Sequence, residues 1–217
     1  MTNNVLDFFY DINNPYCLDV PDEAKNIYWS DTLIYGLNII LKSNPVSGFK
    51  HLSYLGILER ILPELEECRY VIQDKRNTLN VYQHTMKVLD LCPKDDLNIL
   101  WCALFHDIGK YSQDFRKHPN ISAEIFVKYM DIVFQNSDVS LELFEETYGF
   151  SYNKVLTMIL YHMYPFYALN DKQTREHFKK RKYAVDMTRF AILDKSASNP
   201  EYVDGLYDLI DEIKDES

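Results

Sequence analysis

Side chains that could bind a metal ion interrupt the apolar faces of several predicted helices. His84 keeps the 3–4 residue spacing of the valines on either side of it, so the helical period turns it inward with them. His106, with Asp107 directly after it, interrupts a second apolar face, and His162 and Asp194 interrupt two more. A buried carboxylate without a partner is costly, whereas imidazoles and carboxylates that share one cation satisfy one another. The pattern indicates that four helices direct these groups to one metal site.

Each of these residues also has a purely structural interpretation. A single inward histidine is usually a hydrogen-bonded core residue, and a single inward aspartate is most often a helix cap or an ion-pair partner. The dipeptide His-Asp is weak evidence by itself. The combination of HDIGK at 106–110 with an inward histidine before it and an inward aspartate after it favours the metal site. A helical protein whose inward His and Asp bond to one another remains an open alternative.

The elements that would position these side chains are helices. Apolar residues recur with helical spacing over 51–62, 80–92, 96–108, 120–134 and 151–163. Asn80 and Ser151 are candidate N-caps, Asp95-Asp96 is a candidate helix start, and Gly109 is a candidate stop signal. A last helix is predicted after Asn199-Pro200, read as a cap followed by a first-turn proline. Only 6 Gly and 8 Pro occur and no segment alternates with period 2, so we predict one all-α domain of seven to nine helices.

Composition and charge exclude several classes of protein. The 217 residues fit one ordinary domain, and 47% hydrophobic with 26% charged residues exclude a disordered chain. The formal net charge of −10 argues against a dedicated binder of long polyanions.

The cellular location is predicted from what the sequence lacks. No basic residue precedes Lys25, and the apolar run at 99–105 is too short for a membrane span, so we predict neither a signal peptide nor a membrane helix. The four cysteines are dispersed without a C-x-x-C motif, which suits a reducing compartment, and we predict a cytoplasmic protein.

Six segments resemble the HD-domain metal-dependent phosphohydrolases, and the resemblance covers roughly residues 37–200. It is closest to the HD region of bacterial tRNA nucleotidyltransferases and poly(A) polymerases. The segments are SGFKHLSYLGILERILPELEEC, VYQHTMKVL, LFHDIGK, KHPNISAEIF, ILYHMYPF and MTRFAILDKSASNP. They carry, in order, His84, His106-Asp107, His118, His162 and Asp194.

The resemblance implies a fold and a set of metal ligands. It implies a single compact HD-type helical domain over 37–217. The residues before it are rich in Asn and Asp and show no regular pattern, so we predict an irregular N-terminal extension over 1–36 that packs on the domain. A first divalent ion would be held by His84, His106, Asp107 and Asp194. A second would be held by His118 and His162, with Asp107 bridging. Mixed nitrogen and oxygen ligands suit Mn, Fe, Ni, Co or Zn, while Mg prefers oxygen ligands but stays a candidate.

The resemblance also implies a reaction. A metal-activated hydroxide would cleave phosphate esters of nucleotides or RNA ends, as a phosphomonoesterase or a 2′,3′-cyclic phosphodiesterase. Asp107 and Lys110 are the candidate catalytic residues, Lys110 because its ammonium could meet a phosphoryl oxygen. The alternative for Lys110 is a structural role at the end of its helix. Alternative functions are a (d)NTP phosphohydrolase, and a non-catalytic HD module that binds RNA or a separate nucleotidyltransferase.

The sequence departs from the family pattern in three places. Pro119 stands where the family usually has Glu, and the loop from Asp107 to His118 is short. The chain also has no room for a nucleotidyltransferase head. We therefore expect a free-standing HD domain that performs neither CCA addition nor polyadenylation.

One basic run and one aromatic cluster have two interpretations each. The run at 172–182 could contact RNA or could be a solvated face; its basic residues are Lys172, Arg175, Lys179, Lys180, Arg181 and Lys182. The aromatic residues around His162 could belong to the core or could stack nucleobases; they are Tyr161, Tyr164, Phe166 and Tyr167. The sequence leaves the exact substrate, the native metal and the oligomeric state open.

Overall fold

The protein is all-α, as predicted. A computed structural model describes residues 4–12, 21–73, 78–199, 201 and 203–215. The described helices are α1 (Asn4–Asp11), α2 (Asp22–Lys25), α3 (Asp31–Lys42), α4 (Pro45–Tyr54), α5 (Leu58–Ile61), α6 (Pro63–Glu67), α7 (Val81–Leu91), α8 (Leu97–Phe105), α9 (His118–Gln135), α10 (Phe144–Tyr148), α11 (Tyr152–Tyr161), α12 (Tyr164–Asn170), α13 (Lys172–Lys179), α14 (Ala184–Ser198) and α15 (Asp204–Asp215). Among the described residues, 3₁₀ turns cover Cys68–Tyr70 and Ile108–Ser112, and an antiparallel bridge joins Ile72 to Asn80.

The described residues form 15 helices, more than the predicted seven to nine, because seven of them have eight residues or fewer. Helices this short show little or no apolar period in the sequence; they are α1, α2, α5, α6, α10, α12 and α13. The single helix predicted over 51–62 is wrong, since α4 and α5 replace it. Between them Gly56 adopts φ +67, a left-handed conformation that ends the first helix.

The boundaries of the helices that lead to the candidate site follow their caps. Asn80 and Gln83 form a capping box at the start of α7, and the Asp96 side chain caps α8. Helix α8 ends at Phe105, earlier than the predicted 108, so the His-Asp pair lies just beyond its last turn.

Both ends of the chain differ from the sequence prediction. The extension expected to be irregular contains α1, α2 and the first part of α3. Helix α1 packs on α3, with the Phe9 ring against Gly36, where no Cβ intervenes. The last helix begins at Asp204, not at Asn199-Pro200. Asn199 instead follows the last residue of α14, and Pro200 lies outside the described residues.

The helices that lead to the candidate site surround an aromatic core. Helix α8 is buried along its length and contacts α3, α7, α9, α11 and α14. The Trp101 ring stacks on Phe105 and Phe150, and its indole nitrogen donates to Asn38 at 2.7 Å. Cys68, Cys92 and Cys102 are buried thiols, and Cys17 lies outside the described residues. None of the described helices has the length and apolar character needed to cross a bilayer.

Candidate metal centre

Five helices bring the six predicted ligands to one place. His84 lies within α7, and His106 and Asp107 follow the last residue of α8. His118 is the first residue of α9, His162 follows α11, and Asp194 lies within α14. All except Asp194 are buried, and the Asp194 side chain is 16% exposed.

The first cluster contains His84, His106, Asp107 and Asp194. The His84 Nε2 atom lies 2.8 Å from Asp194 Oδ1 and 3.7 Å from Asp107 Oδ2. The His106 Nε2 atom lies 3.4 Å from Asp107 Oδ2 and 3.8 Å from Asp194 Oδ1. The Nε2 atom of each imidazole therefore lies 2.8–3.8 Å from an oxygen of both carboxylates, so one ion could contact all four side chains.

The second cluster shares Asp107 with the first. The other carboxylate oxygen, Oδ1, lies 3.1 Å from His118 Nε2 and 3.8 Å from His162 Nε2. The two Nε2 atoms lie 3.0 Å apart. Candidate ligand atoms of His84, His106 and Asp107 lie within 4.8 Å of one another, and so do those of Asp107, His118 and His162. Each oxygen of Asp107 thus serves one cluster.

Backbone carbonyls set the tautomers of three of these histidines. The Nδ1 atoms of His106, His118 and His162 lie 2.7–2.9 Å from the carbonyl oxygens of Ala103, Phe115 and Ile159, each three residues earlier. A carbonyl oxygen only accepts, so each Nδ1 carries the hydrogen, and each ring in its neutral form presents a lone pair at Nε2.

These lone pairs fit a bound cation. The Nε2 atoms of His118 and His162 point at each other, and His106 Nε2 is buried without a hydrogen-bond partner among the described residues. Such an arrangement is unfavourable unless a proton or a metal ion lies among the nitrogens. A divalent ion would accept these lone pairs and the carboxylate oxygens together, and the tautomer that presents Nε2 is the one that binds a metal.

The local charges keep the carboxylates ionised and His162 neutral. Burial opposes ionisation of Asp107, but the charges of Lys110 and His106 outweigh it and hold the Asp107 pKa well below its usual range. Burial likewise opposes ionisation of Asp194, but the hydrogen bond and charge of His84 lower its pKa to about 2. Burial, reinforced by the charge of His106, lowers the pKa of His162 to about 3. A neutral imidazole beside ionised carboxylates is the protonation state that metal binding requires.

Two further side chains contact the shared carboxylate. Lys110 Nζ lies 2.7 Å from Asp107 Oδ2, and its side chain is only 12% exposed. The Gln73 amide nitrogen donates to the same oxygen at 2.7 Å. The sequence analysis missed Gln73, since glutamine is not a typical metal ligand. The bridge between Ile72 and Asn80 brings this segment to the site, and the helical periodicity used in the sequence analysis does not predict such a bridge.

Ser122 joins the two clusters through the backbone. Its hydroxyl donates to the His106 carbonyl at 2.9 Å and accepts from the Gly109 N–H at 2.9 Å. Ser122 lies in α9, one turn after His118, so one buried side chain ties the HDIGK turn to the helix that begins with His118.

The other histidines lie apart from the centre. His51 bonds to the carbonyl of Ile12, and His177 is exposed on α13. A cleft of about 860 Å³ between the start of α8 and helix α15 is lined by Asp96, Arg189 and Tyr207 among others, and contains none of the six clustered residues.

Comparison with known proteins agrees with this geometry. The HD domain family model matches residues 76–193, which is more than half of the chain. An A-adding tRNA nucleotidyltransferase from Deinococcus radiodurans is 31% identical over 104 residues, covering 41% of this chain and 24% of that protein. The match therefore spans about a quarter of the length of that relative. HD domains bind divalent metals, and the described residues contain two groups that could hold an ion. The chain belongs to the HD domain family, which indicates the superfamily of metal-dependent phosphohydrolases.

Proposed function

We propose that this protein hydrolyses phosphate esters of nucleotides or RNA ends, as a phosphomonoesterase or a 2′,3′-cyclic phosphodiesterase. The observation that carries the proposal is the position of Asp107, whose two oxygens face two separate histidine clusters. Two such clusters on one carboxylate suit a pair of divalent ions. When bound, these ions would supply a hydroxide nucleophile at neutral pH and offset negative charge on the reacting phosphate.

The residues of the chain have distinct proposed roles. Asp107 stays ionised and contributes one oxygen to each cluster, while Asp194 and the four histidines complete the ligand sets. Lys110 lies against Asp107 Oδ2, and 12% of its side chain is exposed, so its ammonium is placed to stabilise a phosphoryl oxygen bound beside Asp107.

The proposed reaction is a hydrolysis. The oxygen of one water molecule forms a bond to phosphorus as the ester P–O bond breaks. The departing alkoxide takes up a proton that derives from the same water. A monoester yields an alcohol and inorganic phosphate, and a 2′,3′-cyclic phosphate yields a ring-opened monophosphate.

The test is turnover of a substrate panel by the purified chain after metal analysis. The panel contains nucleoside monophosphates, 2′,3′-cyclic nucleotides, RNA oligonucleotides with phosphorylated ends and (d)NTPs, each with Mn²⁺, Fe²⁺, Co²⁺, Ni²⁺, Zn²⁺ or Mg²⁺. We expect metal-dependent release of phosphate or opening of the cyclic ester, reduced more than about 100-fold by Asp107→Asn because the shared ligand is lost.

Asp131→Asn is the matched control, because Asp131 is an exposed residue of α9. It should retain full turnover. Release of pyrophosphate or triphosphate would favour the (d)NTP phosphohydrolase instead. Absence of turnover on every substrate would contradict the proposal and favour the non-catalytic HD module.

A further inference from the structure

The structure divides the basic run at 172–182 into two parts. Within α13, Arg175 Nη1 pairs with Glu212 Oε1 at 3.1 Å, and Lys179 Nζ pairs with Glu176 Oε1 at 3.0 Å. Acidic groups thus offset these two charges. Four exposed basic residues of the run form no ion pair among the described residues: Lys172 at the start of α13, and Lys180, Arg181 and Lys182 after its end. Three of these four charges therefore lie together just after α13.

Arg181 is held in place by aromatic rings. Its guanidinium carbon lies 4.5 Å from the centre of the Tyr161 ring and 4.9 Å from that of Tyr164. The two rings meet edge to face with centres 5.2 Å apart, and both are half-buried. We call Tyr161, Tyr164, Lys180 and Arg181 the arginine platform. Stacking occupies a face of the guanidinium and leaves its in-plane N–H groups available.

The chemistry of the platform matches a nucleotide unit. In-plane guanidinium donors bind phosphate oxygens in pairs, Lys180 adds a second positive charge, and tyrosine rings and guanidinium planes stack on unpaired bases. Because the chain carries a net charge of −10, attraction for a polyanion must be concentrated at such a local patch.

One residue of the platform is the sequence neighbour of a residue of the second cluster. Tyr161 immediately precedes His162, whose Nε2 lies 3.0 Å from His118 Nε2 in the second cluster. We propose that the arginine platform binds the nucleotide next to the one whose phosphate reacts, so that the preferred substrate is a single-stranded oligonucleotide end and not a mononucleotide. This inference rests on the proposed phosphohydrolase function.

The first test measures binding without turnover. A fluorescein-labelled single-stranded hexanucleotide is titrated with the chain in chelator at several salt concentrations, and fluorescence anisotropy gives the Kd. We expect Arg181→Ala to weaken binding about 10-fold and to reduce the slope of log K against log salt by about 0.7, the value for one phosphate contact on a single strand. Arg181→Lys should bind with intermediate affinity, because it keeps the charge and loses the planar fork.

Lys50→Ala is the matched control for charge, since Lys50 is exposed on α4, outside the platform. It should bind as the unmodified chain does. Equal affinity of Arg181→Ala and the unmodified chain for the hexanucleotide would overturn the inference. Equal affinity for polyglutamate of similar charge would overturn it as well, because the platform would then bind any polyanion.

The second test separates this inference from the proposed function. The specificity constant kcat/KM is measured for an oligonucleotide and for a mononucleotide with the same phosphorylated end. The kcat/KM for the oligonucleotide divided by that for the mononucleotide should be about 10-fold lower in Arg181→Ala than in the unmodified chain. A ratio that does not change overturns the platform while leaving the phosphohydrolase intact, whereas absence of turnover on both substrates contradicts the function itself.

Discussion

Among single residues, Asp107 has the largest number of partners in the site. Its Oδ2 atom accepts from Lys110 and Gln73 and faces His84 and His106, while Oδ1 faces His118 and His162. A carboxylate with this many neighbours must keep one orientation to serve both clusters. The contacts that fix it should therefore control metal affinity as well as turnover.

Gln73 offers a test of that control. Gln73→Leu removes a 2.7 Å hydrogen bond to Asp107 Oδ2, and a leucine offers no replacement donor. We expect the affinity for Mn²⁺ to fall about 10- to 100-fold, the usual effect of losing a partner that orients a ligand. Isothermal titration calorimetry on the metal-free chain measures it.

The control for Gln73 is the same substitution at Gln173, an exposed residue of α13. Gln173→Leu should bind Mn²⁺ as the unmodified chain does. Unchanged affinity in Gln73→Leu would show that Lys110 and the backbone suffice to orient Asp107.

Among the elements, the packing of the HDIGK turn on α9 sets the distance between the clusters. A Cβ atom at Gly109 would lie 2.4 Å from the His118 carbonyl oxygen and 2.7 Å from the Ser122 backbone nitrogen. Both are backbone atoms, so no side-chain rotation can relieve the overlap. The absence of a side chain at Gly109 lets the turn approach α9 closely enough for Asp107 to reach His118.

Gly109→Ala should therefore harm both stability and the site. We expect a loss of about 1–3 kcal/mol in the free energy of unfolding, typical of overpacking, and weaker metal binding because the start of α9 must shift. Urea denaturation followed by circular dichroism measures the first effect, and calorimetry measures the second.

Gly205→Ala is the matched control. Gly205 lies in helix α15, and a Cβ atom added there would lie 3.4 Å and 3.7 Å from the two Cδ atoms of Leu169. These distances are ordinary van der Waals contacts. It should leave stability unchanged or raise it by up to about 1 kcal/mol, the helical preference for Ala over Gly. Equal stability of the two variants would contradict the tight packing at Gly109.

Across the whole molecule, the sequence predicts the central helices better than the ends. Cap residues such as Asn80 and Asp96 and clear apolar stripes identified α7 and α8. The break at Gly56 was missed because the leucine spacing continues through the glycine. The contact between Gly36 and Phe9, through which α1 packs on α3, depends on tertiary packing that no local sequence pattern predicts.

The residues of the candidate site were likewise predicted only in part from the sequence. His84, His106, His162 and Asp194 were found from helical period alone, because each interrupts an apolar face. His118 required the family resemblance, since it is the first residue of its helix and no apolar stripe precedes it. Gln73 and Ser122 act through hydrogen bonds to the motif, and a sequence pattern of metal ligands does not include such partners.

A bound metal should stabilise the entire fold, because five helices supply the six clustered residues. A divalent ion at 100 times its Kd adds about 2.7 kcal/mol when only the native state binds it. At about 2–4 °C per kcal/mol for a chain of this size, the Tm should rise by about 5–10 °C. Differential scanning fluorimetry of chelated and metal-loaded samples measures the shift.

The same experiment contains its own control. Asp107→Asn should show a much smaller shift on metal addition, since the ligand common to both clusters is lost. An equal Tm for the unmodified chain with and without every metal of the series would contradict metal binding at these residues.

The ends of α8 and α11 have a consequence for cation binding that involves no side chain. Both helices finish at the centre, with His106 and His162 as the residues after their last turns. The aligned peptide dipoles of a helix place partial negative charge at its carboxyl end, which favours a cation there by about 0.3–1 kcal/mol, and the amino end of α9 at His118 opposes it by a similar amount. Two α-helical carboxyl ends against one α-helical amino end leave a net attraction for positive charge, which the amino end of the short 3₁₀ turn at Ile108–Ser112 reduces. This part of the affinity resides in the peptide backbone, so substitution of any one ligand leaves it in place.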